Sequence, residues 1–573
     1  MVSGLPLTTP DHPCVVYTGA VSNRVAAPLI FVLALSLGSL SSACGDDGDP
    51  ADGGLDASAD ARDTAPPDTG PPPVCTAVPT VVDTGLTADT DPGIDPATYE
   101  TDATTIAFDP EAVPASEASF PHGIMAGAMK PDSALFWTHR VGTGDTILRV
   151  YRQGAAAGEV VVAYEATVAP DAFGYVRETA APLAPATVYN YAFFVSDGAD
   201  GFTTRSGIGR VRTALAPDMA LKLTFGATTC TGSVTGFGEP DGERQVLANG
   251  GYPALTLLAD MEVDALLHLG DMSYNDAAWV VADMRPPADA PALYRSNDLG
   301  WGFTQNIQGY RDVLASTGLY FTLDDHEVVD SDAFDPETMV PSRLTAALDT
   351  MVQNVPIERG PGGELWASYQ WGLTAEVIVT DLRTERLPST RTTDDAIFVG
   401  AEQLAFIKDR LLNSTAHFKL VFSSVNMTNL PGESGWDIPL AFNDRWEGYD
   451  SQRRELLDFI IDNGIDDIYF LAGDIHANFV GRLEPEGTSP YARMWEITVG
   501  PGASGDNPLG ALLEQGILMP QDVFPCEQFV FGSGRTQVAT TLELDPLADT
   551  LRVRFIDALT EEVLYDDVLQ QEP

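Results

Sequence analysis

Positive charge is what this sequence has least of. Its 573 residues hold 31 lysines and arginines against 83 aspartates and glutamates, a formal net charge of −52. That deficit excludes nucleic acid as a partner, because a phosphate backbone is gripped by clustered basic side chains. Divalent cations suit such a surface better, although much of the acidity is spread through loops. Histidine is scarce, at seven residues, and cysteine numbers five. No internal repeat is visible. The hydrophobic content of 44% is ordinary for a globular chain. The length allows two or three domains and a large core.

Large apolar residues are almost missing from 45–73, GDDGDPADGGLDASADARDTAPPDTGPPP. Such a stretch cannot bury enough surface to offset the entropy of ordering it, so it reads as a flexible acidic tether. Just before it, Arg24 precedes the apolar run AAPLIFVLALSLGSL and then SSAC at 41–44. That is a secretory segment, too short and wrongly flanked for a typical membrane helix. Leu40 to Cys44 resembles a bacterial lipobox, in which Cys44 is lipidated. The expected organisation is a signal with lipobox over 1–44 and an acidic Pro/Gly-rich linker over 45–115. The expected location is export, with anchoring to the bacterial envelope (outer membrane or periplasm) through lipid alone, or secretion. Cys14 leaves with the signal. Cys75 and Cys526 remain as possible disulfide partners in an oxidising compartment. Cys230 is the odd cysteine, and metal ligation would explain an unpaired thiol in an exported protein.

From 116 to 215 short alternating segments such as ALFWTHRV, TILRVYRQ, EVVVAYEATV and VYNYAFFVSDG predict a small all-β sandwich with no cluster of catalytic groups. From 220 to 573 strands alternate with helices: KLTFGATT, PALTLLADMEV, DALLHLGD, GLYFTL, AEQLAFIKDRLLNS, FKLVFSSV, SQRRELLDFIIDNG and IYFLAGDIH. This predicts a layered α/β fold whose site lies beyond the carboxyl ends of the strands. The last segment, from TTLELDP to YDDVL, reads as a hairpin or meander finishing a sheet.

Four of those strand tips carry chemistry. KLTFGATT leads to Cys230, and DALLHLG to Asp271 and Tyr274. GLYFTL leads to Asp324, Asp325, His326 and Glu327, and IYFLAG to Asp474 and His476. Taken singly each is bland: a Gly-Asp after a strand is usually a turn or a cap, and a lone cysteine is often a small buried hydrophobe. Together they bring oxygen, sulfur and imidazole donors from distant segments to one edge, which is how metal sites are assembled. His268, on its strand, reads as a packed structural histidine.

HLGDMSYND, DDHE and GDIHANF, in that order, resemble the calcineurin-like metallophosphoesterases, and more closely the PhoD-like alkaline phosphatase/phosphodiesterase branch. FPHGIMAGAMKPDSALFWTHR (120–140), TDLRTER (380–386), GAEQLAF (400–406) and DRWEGYDSQRRELLDFI (444–460) add to the likeness. The resemblance covers about 118–570 and implies a metallophosphoesterase β-sandwich flanked by helices, preceded by an Ig- or fibronectin-like sandwich. It implies Asp271 bridging two metals, with Cys230, Tyr274 and His476 on a trivalent iron and Asp325 on a second metal, calcium by the hardness of the carboxylates. Asp474 either orients its loop or ligates the second metal. Asp324 is a calcium ligand or an acceptor for loop amides. His326 protonates the leaving alkoxide or holds a phosphoryl oxygen, and Glu327 orients it or neutralises local charge. The reaction implied is attack of a metal-activated water on an organic phosphate ester by a monomeric enzyme. Phospholipase-type or other diester hydrolysis is an alternative, as is a non-catalytic calcium-binding surface lipoprotein. The chain departs from the superfamily in lacking an Asp-x-His pair at its first strand tip, where Cys230 stands. Leu323 replaces the usual tryptophan before DDHE, and a downstream asparagine is missing.

Overall fold

The computed structural model describes residues 94–199, 201–232, 251–275, 300–329, 334–429, 444–504, 510, 513 and 528–569. The signal, the lipobox cysteine Cys44, most of the acidic linker and the Cys75–Cys526 pair lie outside the described residues. Two sheets make the larger layer pair. The first has nine strands, in the order Val563–Leu569, Thr550–Asp557, Val538–Asp545, Leu223–Thr228, Ala265–His268, Gly318–Phe321, Ile124–Lys130, Ser133–His139 and Tyr175–Ala180. Its four central strands run parallel. The second has seven strands: Ala367–Trp371, Ala375–Val379, Phe418–Phe422, Ile468–Ala472, Trp495–Thr498, Asn478–Arg482 and Phe529–Ser533. The four from Ala375 to Thr498 are parallel as well.

Alternation along the strands decides which layer each side chain joins. In ALLH, Leu267 points into the core between the sheets with Phe225, Leu420, Phe422 and Leu471. Leu266 points outward onto Leu255 and Leu258 of the helix Pro253–Asp260. On the other sheet Val377 and Val379 face inward. Ile378 and Val421 meet Leu404, Ile407 and Leu411 of the helix Ala401–Asn413, and Leu456 and Ile460 of the helix Asp450–Asp462. The result is helix, sheet, sheet, helix, with the helical and strand periods read from the sequence each matching one layer.

The region from 116 to 215 is all-β, its strands divide between two sheets, and it takes in Thr104–Ala107 from the expected linker, which pairs with Glu159–Val168. Thr104–Ala107, Glu159–Val168, Thr146–Gln153, Val188–Ser196, Phe202–Arg205 and Gly209–Arg212 form a six-stranded sheet. Ile124–Lys130, Ser133–His139 and Tyr175–Ala180 instead extend the nine-stranded sheet, through parallel pairing of Gly318 with Ala126. Phe136 packs against Tyr191 across the gap, with ring centroids 4.7 Å apart. Among the described residues no helix is long and apolar enough to cross a membrane.

Candidate metal centre

Because the parallel strands of both sheets point the same way, their carboxyl ends open onto one cleft. Cys230 follows Leu223–Thr228 and is fully buried. Its Sγ lies 3.5 Å from Asp271 Oδ2. The Tyr274 hydroxyl donates to the same oxygen at 3.2 Å and lies 3.3 Å from His476 Nε2. Ser504 Oγ donates to Tyr274 at 3.1 Å. The donor atoms of Cys230, Asp271 and His476 fall within 4.8 Å of one another, as do those of Asp271, Asp325 and His326, and those of Asp324, Asp325 and Asp474. Asp271 therefore belongs to the first two groups and Asp325 to the last two. Five of the six residues proposed from the sequence as metal ligands, Cys230, Asp271, Asp325, Asp474 and His476, sit in this chain of clusters with His326 and Asp324, and Tyr274 joins them through its hydroxyl contacts to Asp271 and His476. Cys230 is the free cysteine among the described residues.

The local backbone is bent to make this possible. Cys230, Asp271, Asp474 and His476 all adopt left-handed φ, at +48°, +58°, +67° and +51°. Non-glycine residues rarely do so, and such conformations gather where the surrounding fold forces them. Two glycines clear the space. A Cβ on Gly270 would overlap Asp324, and one on Gly232 would overlap the Tyr274 ring.

Burial raises three acidic groups here. Desolvation pushes the Cys230 thiol, the Asp271 carboxyl and the Tyr274 phenol well above their usual values. Buried anions of this kind are stable only beside a cation. Among the described residues no lysine or arginine pairs with Asp271. The donor set of thiol, phenol, imidazole and shared carboxylate fits a bound metal ion. So does Asp324 Oδ2, which is buried with no hydrogen-bond partner among the described residues.

The second half of the cleft holds a residue the sequence reading missed as a site group. Arg383, buried, lies at the carboxyl end of Ala375–Val379. Its Nε donates to Asp324 at 2.5 Å and its Nη1 to Asp444 at 2.9 Å. Its Nη2 reaches Asp474 at 3.3 Å and lies 3.9 Å from Asp325. Burial opposes its charge, and the four carboxylates more than offset this, holding it well above the usual range. Burial also works to raise Asp444, yet the Arg383 guanidinium holds it below the usual carboxylate range. Asp324 stays high from burial, against the pull of Arg383, with the nearby charges of Asp325 and Asp474 adding to the rise. Asp474 is raised to about 6 by burial and by Asp444. The signal was present in TDLRTER, an arginine at the tip of an apolar strand, and in the aspartate opening DRWEGYD.

Glu327 and His326 part in role. Glu327, buried, accepts backbone N–H groups from Asp324, Asp271, Met272 and Ser273. Both its oxygens are thus spent on tying two strand-tip loops together, not on orienting the imidazole. Burial lifts it to about 7, against those four hydrogen bonds. His326 is only partly buried. Its ring stacks on Tyr274 with centroids 3.9 Å apart, and its backbone N–H donates to Asp271 Oδ1 at 3.2 Å. His268 is packed as expected: it is buried, and its Nε2 lies 2.8 Å from the Tyr310 hydroxyl, which also bonds Thr231 beneath the cysteine loop. Asn478 spends its amide on Gly500 N–H and Arg535 carbonyl.

Comparison with known proteins bears on the family and the fold. The family described as PhoD-like phosphatase matches residues 241–523, and its N-terminal domain matches 105–215. Alkaline phosphatase D of Bacillus subtilis (strain 168) is 22% identical over 438 residues, covering 66% of this chain and 68% of that protein. A solved structure of PhoD superposes with TM-score 0.62 and 19% identity, over 79% of this chain and 89% of the other. A purple acid phosphatase from yellow lupin (Lupinus luteus) seeds superposes with TM-score 0.50 and 13% identity, over 78% and 72%. These two share the fold.

Proposed function

We propose that this chain, which belongs to the PhoD-like phosphatase family and is a phosphoesterase, is an exported enzyme that releases phosphate from organic esters at a two-metal centre. The observation that carries the reading is the set of buried Cys230 and Asp271 with half-buried Tyr274 and His476, which concentrates donors with no lysine or arginine of the described chain paired to Asp271. Thiolate and phenolate favour a trivalent iron on that side. Asp325 and Asp474, with Asp324, would hold calcium on the other, and Asp271 would be shared. When bound, the metals supply Lewis acidity and lower the pKa of a water.

The chain's own groups do the rest. His326 stands beside Asp271 and Asp325, partly open to the cleft, and gives its proton to the oxygen of the departing alcohol. Tyr274 stacked against its ring and the Asp271 contact at its N–H fix its orientation. Arg383 holds Asp324 and Asp474 in place, and Glu327 locks the two loops that carry Asp271 and Asp325. Segment 25–44 would carry the enzyme out of the cytoplasm, Cys44 would anchor it by lipid, and the acidic stretch 45–93 would tether it, because Thr104–Ala107 of the expected linker pairs with Glu159–Val162 in the six-stranded sheet.

The test is elemental analysis of the purified protein beside assays on phosphate mono- and diesters. Iron with calcium is expected, activity is lost on chelation, and Cys230→Ser loses iron and activity while keeping its fold. Full activity and metal content in Cys230→Ser would refute the iron assignment. A protein inert on every ester with its metals in place would refute the catalytic one.

A further inference from the structure

A second group of metal-type ligands stands at the opposite ends of the same strands. His417 immediately precedes Phe418–Phe422, Asp467 immediately precedes Ile468–Ala472, and Asp549 lies in the turn between Val538–Asp545 and Thr550–Asp557. His417 Nε2 is 2.7 Å from Asp549 Oδ1 and 3.8 Å from Asp467 Oδ2. One donor atom from each lies within 4.8 Å of the others. The three side chains are only 16–20% exposed, so this is a partly enclosed set and not a solvated acidic fringe. Each five-residue strand spans roughly 17 Å, which separates this group from the phosphoesterase cleft.

We propose that His417, Asp467 and Asp549 bind a divalent transition-metal ion, zinc by preference, that clasps the two sheets together. One imidazole and two carboxylates form a three-point donor set of the kind first-row divalent ions accept, leaving further positions to water. Metal–ligand bonds of about 2.0–2.2 Å place neighbouring donors roughly 3.3 Å apart in a tetrahedral shell. The observed 2.7 and 3.8 Å separations bracket that spacing. An ion pair accounts for the set less well. The single Nε2 proton reaches Asp549, whereas Asp467 Oδ2 at 3.8 Å is beyond hydrogen-bonding distance of that nitrogen. Lys419 is the neighbouring cation. Its Nζ donates to the carbonyls of His417 and Asp466 at 3.1 Å each. Its charge competes with a bound ion, so the site is expected to be weaker than the cleft.

The clasp joins different layers. His417 and Asp467 belong to adjacent parallel strands of the seven-stranded sheet, and Asp549 to a hairpin of the nine-stranded one. The deciding experiment soaks crystals of the metal-loaded wild-type protein in zinc chloride and records anomalous scattering at the zinc edge. A peak among His417 Nε2, Asp467 and Asp549 is expected. Full zinc occupancy elsewhere with none there overturns the proposal. In solution, His417→Gln and Asp549→Asn should each bind one zinc fewer than wild type, lose the zinc-induced rise in Tm, and keep the iron, calcium and ester hydrolysis of the parent. Zinc binding equal to wild type in both variants would reduce the group to an ion pair.

Discussion

Around Cys230, Asp271 and Tyr274 the protein buries anionic donors and pairs no lysine or arginine with Asp271 among the described residues. A few ångströms away, around Asp324, Asp444 and Asp474, it buries carboxylates and drives a guanidinium into their midst. Both halves are removed from water, so both face the same desolvation cost. The difference is in who supplies the positive charge. The arginine half carries its own cation, whereas in the proposed reading a bound ion supplies it to the cysteine half. One cleft thus combines an arginine-held set of carboxylates with a set of thiol, phenol and carboxylate donors, and Asp325 lies within reach of both.

That contrast can be broken from either side. The largest effect is expected at Asp271, the carboxylate proposed to serve both metals. Asp271→Asn should lower ester hydrolysis by about 10⁴-fold, about 5.5 kcal/mol of barrier, with iron lost in elemental analysis and little change in Tm. Next, Arg383→Ala should unfold more easily by about 3–5 kcal/mol, because it leaves buried carboxylates without their partner. Denaturant titration reads this, and a loss under 1 kcal/mol would show that the carboxylates do not depend on the guanidinium. Arg383→Lys restores the charge but not the fork, and should recover only part of the loss.

Smaller effects sharpen the picture. Glu327→Gln keeps the shape but weakens four amide contacts. It should cost about 1–3 kcal/mol of stability and loosen metal binding in the cysteine half before the arginine half. The smallest lies beneath the cleft. His268 is buried, and desolvation lowers its pKa to about 3, so the folded protein keeps it neutral while the unfolded chain protonates near 6.5. The stability this contributes is present above pH 6.5 and is lost as pH falls toward 3. Between pH 7 and pH 5 wild type should therefore lose about 2 kcal/mol more than His268→Gln, measured by denaturant unfolding at each pH.

Most of the cleft was legible because residues of metal-ligating type stand at strand tips. GATTC, LGDMSY, TLDDHE and AGDIH each place donors just past an apolar run, and the structure brings all of them together. What stayed hidden depends on tertiary proximity. Arg383 follows an apolar strand exactly as Asp271 does, yet nothing local in TDLRTER says which carboxylates will surround it. Asp444 opens a segment that looked only like a likeness. Glu327 read as a neighbour of His326, but side-chain direction turned it toward the backbone of another loop. The same limit applies to the sheets. FPHGIMAGAMK and SALFWTH carry the alternation of strands, and alternation does not say whether they pair within a small sandwich or extend a larger sheet.

The pairing of Leu223 with Leu544 has a consequence for the order in which the chain can fold. Leu223–Thr228 is an inner strand whose neighbour on one side, Val538–Asp545, lies far downstream of it in the chain. Until that segment arrives, the inner strand carries a bare hydrogen-bonding edge, and closing the sheet needs a contact of very long range. Completion is therefore late and all at once. A chain stopped short of Val538 would present that edge to other copies and self-associate instead of folding.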